Sequence, residues 1–169
     1  EAMKDIRPSG QGARCVLLLS GGLDSSVLLA ALREQGWNVH ALTALYGQRH
    51  AHEISCASEQ ARARGCVSHE ILEMPVSIFA GSVLTDETLD VPVDRPENEV
   101  TGQTIPATYV PARNLVFLSM ATAWAESMGV RDVFIAVNAV DYSGYPDCRP
   151  RFVRAFGQAA RLGTGIGVR

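Results

Sequence analysis

The residues best suited to chemistry stand together in one short stretch, Ser20-Gly21-Gly22-Leu23-Asp24-Ser25-Ser26. Two glycines let the backbone approach a ligand closely, and three hydroxyls can donate hydrogen bonds to it. An apolar run at residues 15–19 precedes the stretch, and an apolar series with helical spacing follows it: Leu23, Val27, Ala30 and Ala31. A buried strand, a tight turn and the amino end of a helix together favour binding of an anion, above all a phosphate.

Asp24 is unfavourable beside a bound phosphate, because the two negative charges repel each other. A bridging divalent cation, most simply Mg²⁺, removes the conflict. No lysine follows the glycines, so the stretch is not a Walker A loop. We name Leu19–Ser26 the Gly-Ser loop. Its alternative interpretation is a strand-to-helix turn in which Ser and Asp serve as caps and no ligand binds.

Composition narrows the class of protein. A chain of 169 residues with 47% hydrophobic and 20% charged residues suits one globular domain. The net charge of −3 gives no basic excess, which favours a small-molecule partner over a nucleic acid. No apolar run reaches the length of a membrane span, and residues 1–13 read as a flexible lead-in without the apolar core of a signal peptide. A cytoplasmic protein with one domain over residues 14–169 is expected.

The four cysteines are at positions 15, 56, 66 and 148. No two form the close pair that a structural zinc site usually contains, so no zinc site is predicted within residues 1–169. Cys15, Cys56 and Cys66 are interpreted as structural. Cys148 precedes a predicted helix, where a thiol pKa can fall, and a nucleophilic role is left open there.

Strand and helix patterns alternate along the chain. Apolar runs predict strands at 15–19, 39–45, 67–74 and 133–137, with helices following the Gly-Ser loop, over 54–61, over 114–128 and over 152–162. This alternation predicts an α/β fold, a parallel twisted sheet with helices on both faces, as in Rossmann-like proteins. The proline-rich, acidic segment 75–111 is expected to be a lid or a partner contact, and residues 163–169 to trail from the last helix.

Ligands of open parallel sheets bind beyond the carboxyl ends of the strands. This rule brings four segments to one edge: the Gly-Ser loop, residues 46–50, residues 109–114 before a helix, and residues 138–149. Three of them carry arginine, which suits phosphate and carboxylate recognition.

The strings in these segments carry a family resemblance. SGGLDSS resembles the pyrophosphate loop of the PP-loop ATP pyrophosphatases, whose fold is of the adenine nucleotide alpha hydrolase type. YGQRH, YVPARN and NAVDYSGYPDCR, in this order, resemble the 7-cyano-7-deazaguanine synthases of queuosine biosynthesis, the QueC family, from about Arg14 to Gly163. The resemblance implies an ATP-dependent ligase that uses Mg²⁺ and converts 7-carboxy-7-deazaguanine and ammonia to the nitrile. It also implies a homodimer, and a zinc site whose cysteine cluster would lie beyond Arg169.

The chemistry of single residues, taken together with the resemblance, suggests their roles. Asp24, Arg49, Arg113 and Asp147 are the candidate catalytic residues, and the Gly-Ser loop would hold the ATP phosphates. The other candidates for substrate binding are Tyr46, Gln48, His50, Asn114, Asp141, Tyr142 and Tyr145. Several have a structural alternative: surface ion pairs for the arginines, turn capping for Asp141 and Asp147, packing for Tyr142 and Tyr145, and a satisfied structural role for His50.

Two other functions stay open at this point. One is a different PP-loop chemistry, such as tRNA modification or amidation. The other is a non-catalytic nucleotide-binding module. ATP binding without consumption of 7-carboxy-7-deazaguanine would favour the module.

Overall fold

Four parallel strands form one sheet at the centre of the described part of the protein. The computed structural model describes residues 6–46, 51–75, 77, 109–137 and 145–169. The strands are β1 (Arg14–Leu18), β2 (Asn38–Leu45), β3 (Ser68–Glu73) and β4 (Asp132–Phe134). Their order across the sheet is β3-β2-β1-β4, and every pairing among them is parallel.

Four helices accompany the sheet in the described residues. They are α1 (Leu23–Glu34), α2 (Ala51–Ala63), α3 (Arg113–Ser127) and α4 (Pro150–Gly163), with one turn of 3-10 helix at Pro146–Cys148 before α4. Five candidate site residues, Gln48, Arg49, His50, Asp141 and Tyr142, lie outside the described residues, as does most of segment 75–111.

The core lies on both faces of β1. On one face, Cys15 and Leu17 pack with Leu29 and Leu32 of α1 and with Ala57 and Ala61 of α2. On the other face, Val16 packs with Ala121 and Ala125 of α3. A strand buried on both sides must be apolar at every position, which is why residues 15–19 read as a continuous run. The predicted fold class is confirmed.

The apolar series that marks α1 in the sequence is not the face that the helix buries. Leu23 and Val27 are 79% and 52% exposed, whereas Ser25, Leu29 and Leu32 are buried. The helix is apolar around much of its circumference, so a second series offset by two residues fits helical spacing equally well. Ser25 determines which of the two series is buried, because its side chain points inward and its hydroxyl bonds the Gly22 carbonyl of the loop.

The expectation that residues 163–169 trail away is also wrong. The Arg169 amide donates to the Arg131 carbonyl at 2.7 Å, and the Val133 amide donates to the Arg169 carbonyl at 2.8 Å. The Arg169 Nε atom lies 2.7 Å from Asp132 Oδ1. Val168 is fully buried in the cluster around Val16, so apolar burial holds this segment against β4.

We expect the stability of this fold to fall in mild acid because of His40. Its side chain is 7% exposed, its Nδ1 lies 2.8 Å from Ser68 Oγ, and its ring meets Trp124 edge-on at 6.1 Å. Burial, aided by Arg14, lowers the pKa of His40 below its ordinary value of 6.5. Below that value the unfolded chain takes up a proton that the folded chain does not, so the free energy of unfolding declines.

Urea unfolding at about pH 7.5 and about pH 5.5 measures this decline. His40→Gln should make it smaller, and His52→Gln, which changes an exposed histidine, should leave it unchanged. Equal declines in all three proteins would contradict the assignment.

Candidate functional site

The Gly-Ser loop is held by its own serines. The Ser25 hydroxyl donates to the Gly22 carbonyl at 3.1 Å, so its oxygen accepts from the Ser20 hydroxyl at 3.1 Å and from the Ser20 amide at 3.3 Å. The Gly22 amide in turn donates to Ser20 Oγ at 3.2 Å. These bonds close a small ring between the end of β1 and the first turn of α1. Ser20 and Ser25 therefore shape the backbone, whatever else they contact.

Gln60 of α2 is a loop contact that the sequence analysis missed. Its Nε2 donates to the Gly21 carbonyl at 3.4 Å, and its Oε1 accepts from the Ser26 hydroxyl at 2.5 Å. The same hydroxyl lies 2.6 Å from the Gly22 carbonyl. No local signal in the sequence marks this residue, because it lies 34 positions from Ser26 along the chain.

Gly21 allows α2 to approach the loop. Its φ of +85° lies in the left-handed region, and a Cβ there would be 2.2 Å from the Glu53 carbonyl oxygen. Only glycine satisfies both conditions without displacing α2. Gly22 differs, since its φ is −76° and a Cβ would meet only Ser20 Oγ at 3.4 Å.

The solvent side of the loop is the amino end of α1. Gly22 is the N-cap residue in an extended conformation, with no side-chain capping bond. Asp24 lies exposed in the first turn of the helix. Backbone amides at the amino end of α1 can donate hydrogen bonds to a phosphate, and the Asp24 carboxylate can bind a hard cation such as Mg²⁺ that accompanies it.

Arg113 and Tyr46 form a second polar group at the same edge of the sheet. Tyr46 directly follows β2 and packs against Phe117 with ring centroids 5.3 Å apart. The Arg113 Nη1 atom donates to the Tyr46 hydroxyl at 3.2 Å. Burial alone would lower the pKa of Arg113, but Tyr46, Asp147 and Cys148 outweigh it and raise that pKa, so the guanidinium stays charged.

Asp147 caps α3 from a distant part of the chain. Its side chain is 6% exposed, and its Oδ2 accepts from the Asn114 amide at 2.8 Å. The Asn114 side chain donates to the Asp147 carbonyl at 3.3 Å and to Cys148 Sγ at 3.2 Å. A carboxylate at a helix amino end satisfies an unpaired amide and stabilises the helix dipole. This geometry favours a structural role for Asp147, as a cap of α3 where a turn cap was expected, and a structural role for Cys148, which is 3% exposed.

Tyr145 stacks on another residue of the protein. Its ring lies 5.9 Å from that of Tyr109 at an angle of 23°. The Tyr109 hydroxyl accepts from the Ala112 amide at 2.9 Å. Ala112, the residue before α3, has a φ of +55°, a conformation that costs about 1–2 kcal/mol for a residue other than glycine. The tyrosine pair thus stabilises a strained backbone immediately before Arg113.

Cys66 packs against the core cluster that contains Cys15, and the described cysteines and histidines form no larger group. Burial raises the pKa of the Cys15 thiol to about 12, which makes it inert. Cys56 Sγ contacts His52 Nε2 at 3.4 Å on α2, far along the chain from Cys148. Within the ranges given above, no three His, Cys, Asp or Glu side chains converge as a metal site would require. Nor is any helix in those ranges long and apolar enough to cross a membrane.

We expect Gly21→Ala to destabilise the protein far more than Gly22→Ala. The first change combines a left-handed backbone with a clash against α2, and should lower the free energy of unfolding by at least about 2 kcal/mol. The second adds a methyl group in ordinary contact at an N-cap and should cost about 1 kcal/mol or less. Urea unfolding compares the two variants, and equal losses would contradict the close approach of α2.

Asp147→Ala should lower the free energy of unfolding by about 1–2 kcal/mol, because the Asn114 amide loses its buried acceptor. Asp147→Asn keeps an acceptor oxygen and should lose less than half as much in the same urea measurement. A loss in Asp147→Asn as large as in Asp147→Ala would show that the charge, and not the cap, matters for stability.

Comparison with known proteins shows relatives over most of the chain. Residues 14–169 match the family described as "Queuosine biosynthesis protein QueC". A 7-cyano-7-deazaguanine synthase of Stenotrophomonas maltophilia is 52% identical over 92% of this chain and 67% of its own length. Its counterpart in Magnetococcus marinus is 53% identical over 90% of this chain and 65% of its own, and that of Rhodopirellula baltica is 51% identical over 92% and 62%. The chain therefore spans about two thirds of the length of these curated relatives.

A solved structure shares the fold at lower identity. It is described as a predicted subunit of a tRNA methyltransferase from Methanocaldococcus jannaschii, and is 18% identical with a TM-score of 0.54. The match covers 93% of this chain and 66% of that one. The structural likeness agrees with the parallel sheet described above, and the match over residues 14–169 and the identity of about half decide the family. The chain belongs to the QueC family of queuosine biosynthesis proteins, whose curated relatives are enzymes named 7-cyano-7-deazaguanine synthase.

Proposed function

We propose that this chain carries the ATP-dependent conversion of 7-carboxy-7-deazaguanine and ammonia to 7-cyano-7-deazaguanine. Family membership supports the reaction class. The observation that carries the proposal is the shared position of two groups at the carboxyl edge of the sheet. The Gly-Ser loop follows β1, and the Arg113–Tyr46 pair follows the adjacent strand β2. One group suits phosphates and the other suits a second anion.

The chemistry explains why a pyrophosphate-binding loop is useful. A carboxylate is a poor acyl donor until one of its oxygens becomes part of a good leaving group. Transfer of AMP from ATP to the carboxylate achieves this and releases pyrophosphate. Ammonia then displaces AMP to give an amide. A second ATP activates the amide oxygen in the same way, and loss of that oxygen with AMP leaves the nitrile.

The protein contributes positioning and charge in this scheme. The Gly-Ser loop would hold the ATP phosphates mainly with the backbone amides at the amino end of α1, because the serine hydroxyls donate their protons within the loop and to Gln60. Asp24 and those hydroxyls fit the oxygen-ligand preference of Mg²⁺, which would neutralise phosphate charge when bound. Gln60 would hold the loop in a fixed position against α2, since it bonds both Gly21 and Ser26.

Arg113 is proposed to bind negative charge on the substrate or on the departing phosphate. It is half-buried and stays charged, and its guanidinium presents a planar fork of donors. Asp147 is proposed to act mainly by holding the amino end of α3, and so the position of Arg113. Substrate contacts by Gln48, Arg49, His50, Asp141 and Tyr142 remain proposals from the family resemblance.

The proposed partners are small molecules, with ammonia as the nitrogen donor and no nucleic acid, in line with the net charge of −3. The family resemblance supports a cytoplasmic homodimer. The described cysteines do not fit a zinc site, because Cys15 lies in the core with Cys66 packed against the same cluster, Cys56 contacts His52 and Cys148 contacts Asn114.

The direct test is incubation of the protein with ATP, Mg²⁺, ¹⁵N-labelled ammonia and 7-carboxy-7-deazaguanine. Mass spectrometry should find the labelled amide and then the labelled nitrile, with one AMP and one pyrophosphate for each activation.

Arg113→Lys keeps the charge but loses the planar fork, and should lower kcat/KM by about tenfold or more. Arg131→Lys, at an exposed arginine, is the matched control and should match the wild type. ATP binding without consumption would overturn the proposed reaction and indicate a nucleotide-binding module.

A further inference from the structure

A buried threonine links the Gly-Ser loop to the two strands beside it. Thr43 lies on β2 and is 2% exposed. Its Oγ1 lies 2.6 Å from the carbonyl oxygen of Leu19, the residue that leaves β1, and 2.8 Å from Nε2 of His69 on β3. His69 is paired with Ala41, two residues before Thr43, so both side chains lie on the same face of the sheet. Three neighbouring strands thus meet at one hydroxyl.

The chemistry of the three groups determines where the protons are. The Leu19 carbonyl can only accept, so the single Thr43 hydroxyl proton points to it. The Thr43 oxygen must then accept from His69, which requires a proton on Nε2. His69 keeps this donor in its neutral Nε2–H form and in its protonated form alike. The link from His69 to Thr43 to Leu19 is therefore directional and independent of the charge of the imidazole.

The hydrogen bond from Thr43 to the Leu19 carbonyl also orients the amide of Ser20. The carbonyl of Leu19 and the N–H of Ser20 belong to one planar peptide unit and point in opposite directions. The Ser20 amide donates to Ser25 Oγ at 3.3 Å, and the Ser20 hydroxyl accepts from Gly22. Rotation of this one peptide unit would disturb the whole ring of bonds that shapes the loop.

We propose that Thr43 is a positioning residue for the Gly-Ser loop, and that His69 acts through it by fixing the direction of its hydroxyl. The proposal rests on the proposed function, since it assumes that the loop receives ATP phosphates. Thr43 touches the loop backbone from the core side, so it contributes through the orientation of the Leu19–Ser20 peptide.

Binding of ATP with Mg²⁺, measured by calorimetry, tests the effect on the ligand. Thr43→Val is nearly isosteric but removes the hydroxyl, and should weaken binding by about tenfold. Thr43→Ser restores the hydroxyl and should bind within about twofold of the wild type. Thr122→Val is the matched control, because Thr122 is a buried threonine of α3 that lies on the other face of β1. It should leave ATP affinity unchanged even if it lowers the midpoint of thermal unfolding.

His69→Phe provides a second, milder variant in case Thr43→Val does not fold. It leaves the Thr43 hydroxyl in place but removes the donor that directs it, and should weaken ATP binding by about threefold. ATP affinity unchanged in both Thr43→Val and His69→Phe would overturn the proposal. So would equal weakening in Thr43→Val and Thr122→Val, because loss of stability alone would then explain the effect.

Nuclear magnetic resonance in the absence of nucleotide separates this proposal from the proposed function. The ¹⁵N shifts of His69 should show a proton on Nε2 in the wild type. The Ser20 amide should exchange with solvent about tenfold faster in Thr43→Val than in the wild type or Thr122→Val. If these signatures are present and the wild type binds no ATP, the proposed function fails while the link stands. An unprotonated Nε2, or Ser20 exchange unchanged in Thr43→Val, overturns the link itself.

Discussion

Burial of β1 on both faces is the constraint on which the rest of the described structure depends. Cys15 and Leu17 point into the layer of α1 and α2, and Val16 points into the layer of α3. None of these three buried positions can carry a polar side chain without a cost in solvation. The chemistry is therefore displaced to the residues just beyond the strand, where the chain reaches solvent and turns into α1. Tyr46 likewise lies just beyond β2, although that strand also buries the polar side chains of His40 and Thr43.

The polar groups at this edge are satisfied mainly by one another. Ser20 and Ser25 bond across the turn of the Gly-Ser loop, and Thr43 bonds the carbonyl that leads into it. Asp147 bonds the first turn of α3. Each bond removes the penalty for an unpaired buried group and also limits the conformations of the backbone. A rigid frame of this kind lets the exposed parts, Asp24 and the amino end of α1, be placed accurately.

The surroundings of Arg113 and His40 decide whether each of these side chains is charged. Arg113 is half-buried yet stays cationic, since Tyr46, Asp147 and Cys148 raise its pKa against the cost of burial. His40, which has no such partner and whose Nε2 bonds to nothing in the described residues, stays neutral against Trp124. The cation beside the proposed site is thus maintained by its neighbours, and the histidine in the core is kept uncharged by burial.

The sequence by itself determined the order of strands and helices, the parallel sheet and the position of the Gly-Ser loop. These depend on local patterns, an apolar run, a pair of glycines and helical spacing, that are visible within about twenty residues. It also indicated that Tyr46 and Arg113 belong to one edge of the sheet, because parallel strands end together. Only the tertiary structure decided which face of α1 is inside, since a helix that is apolar around much of its surface offers two equal choices. It likewise decided the partners of Gln60, Thr43, His69 and Asp147. Their bonds join residues 24 to 39 positions apart, and a hydrogen bond between distant residues leaves no periodic trace in the sequence.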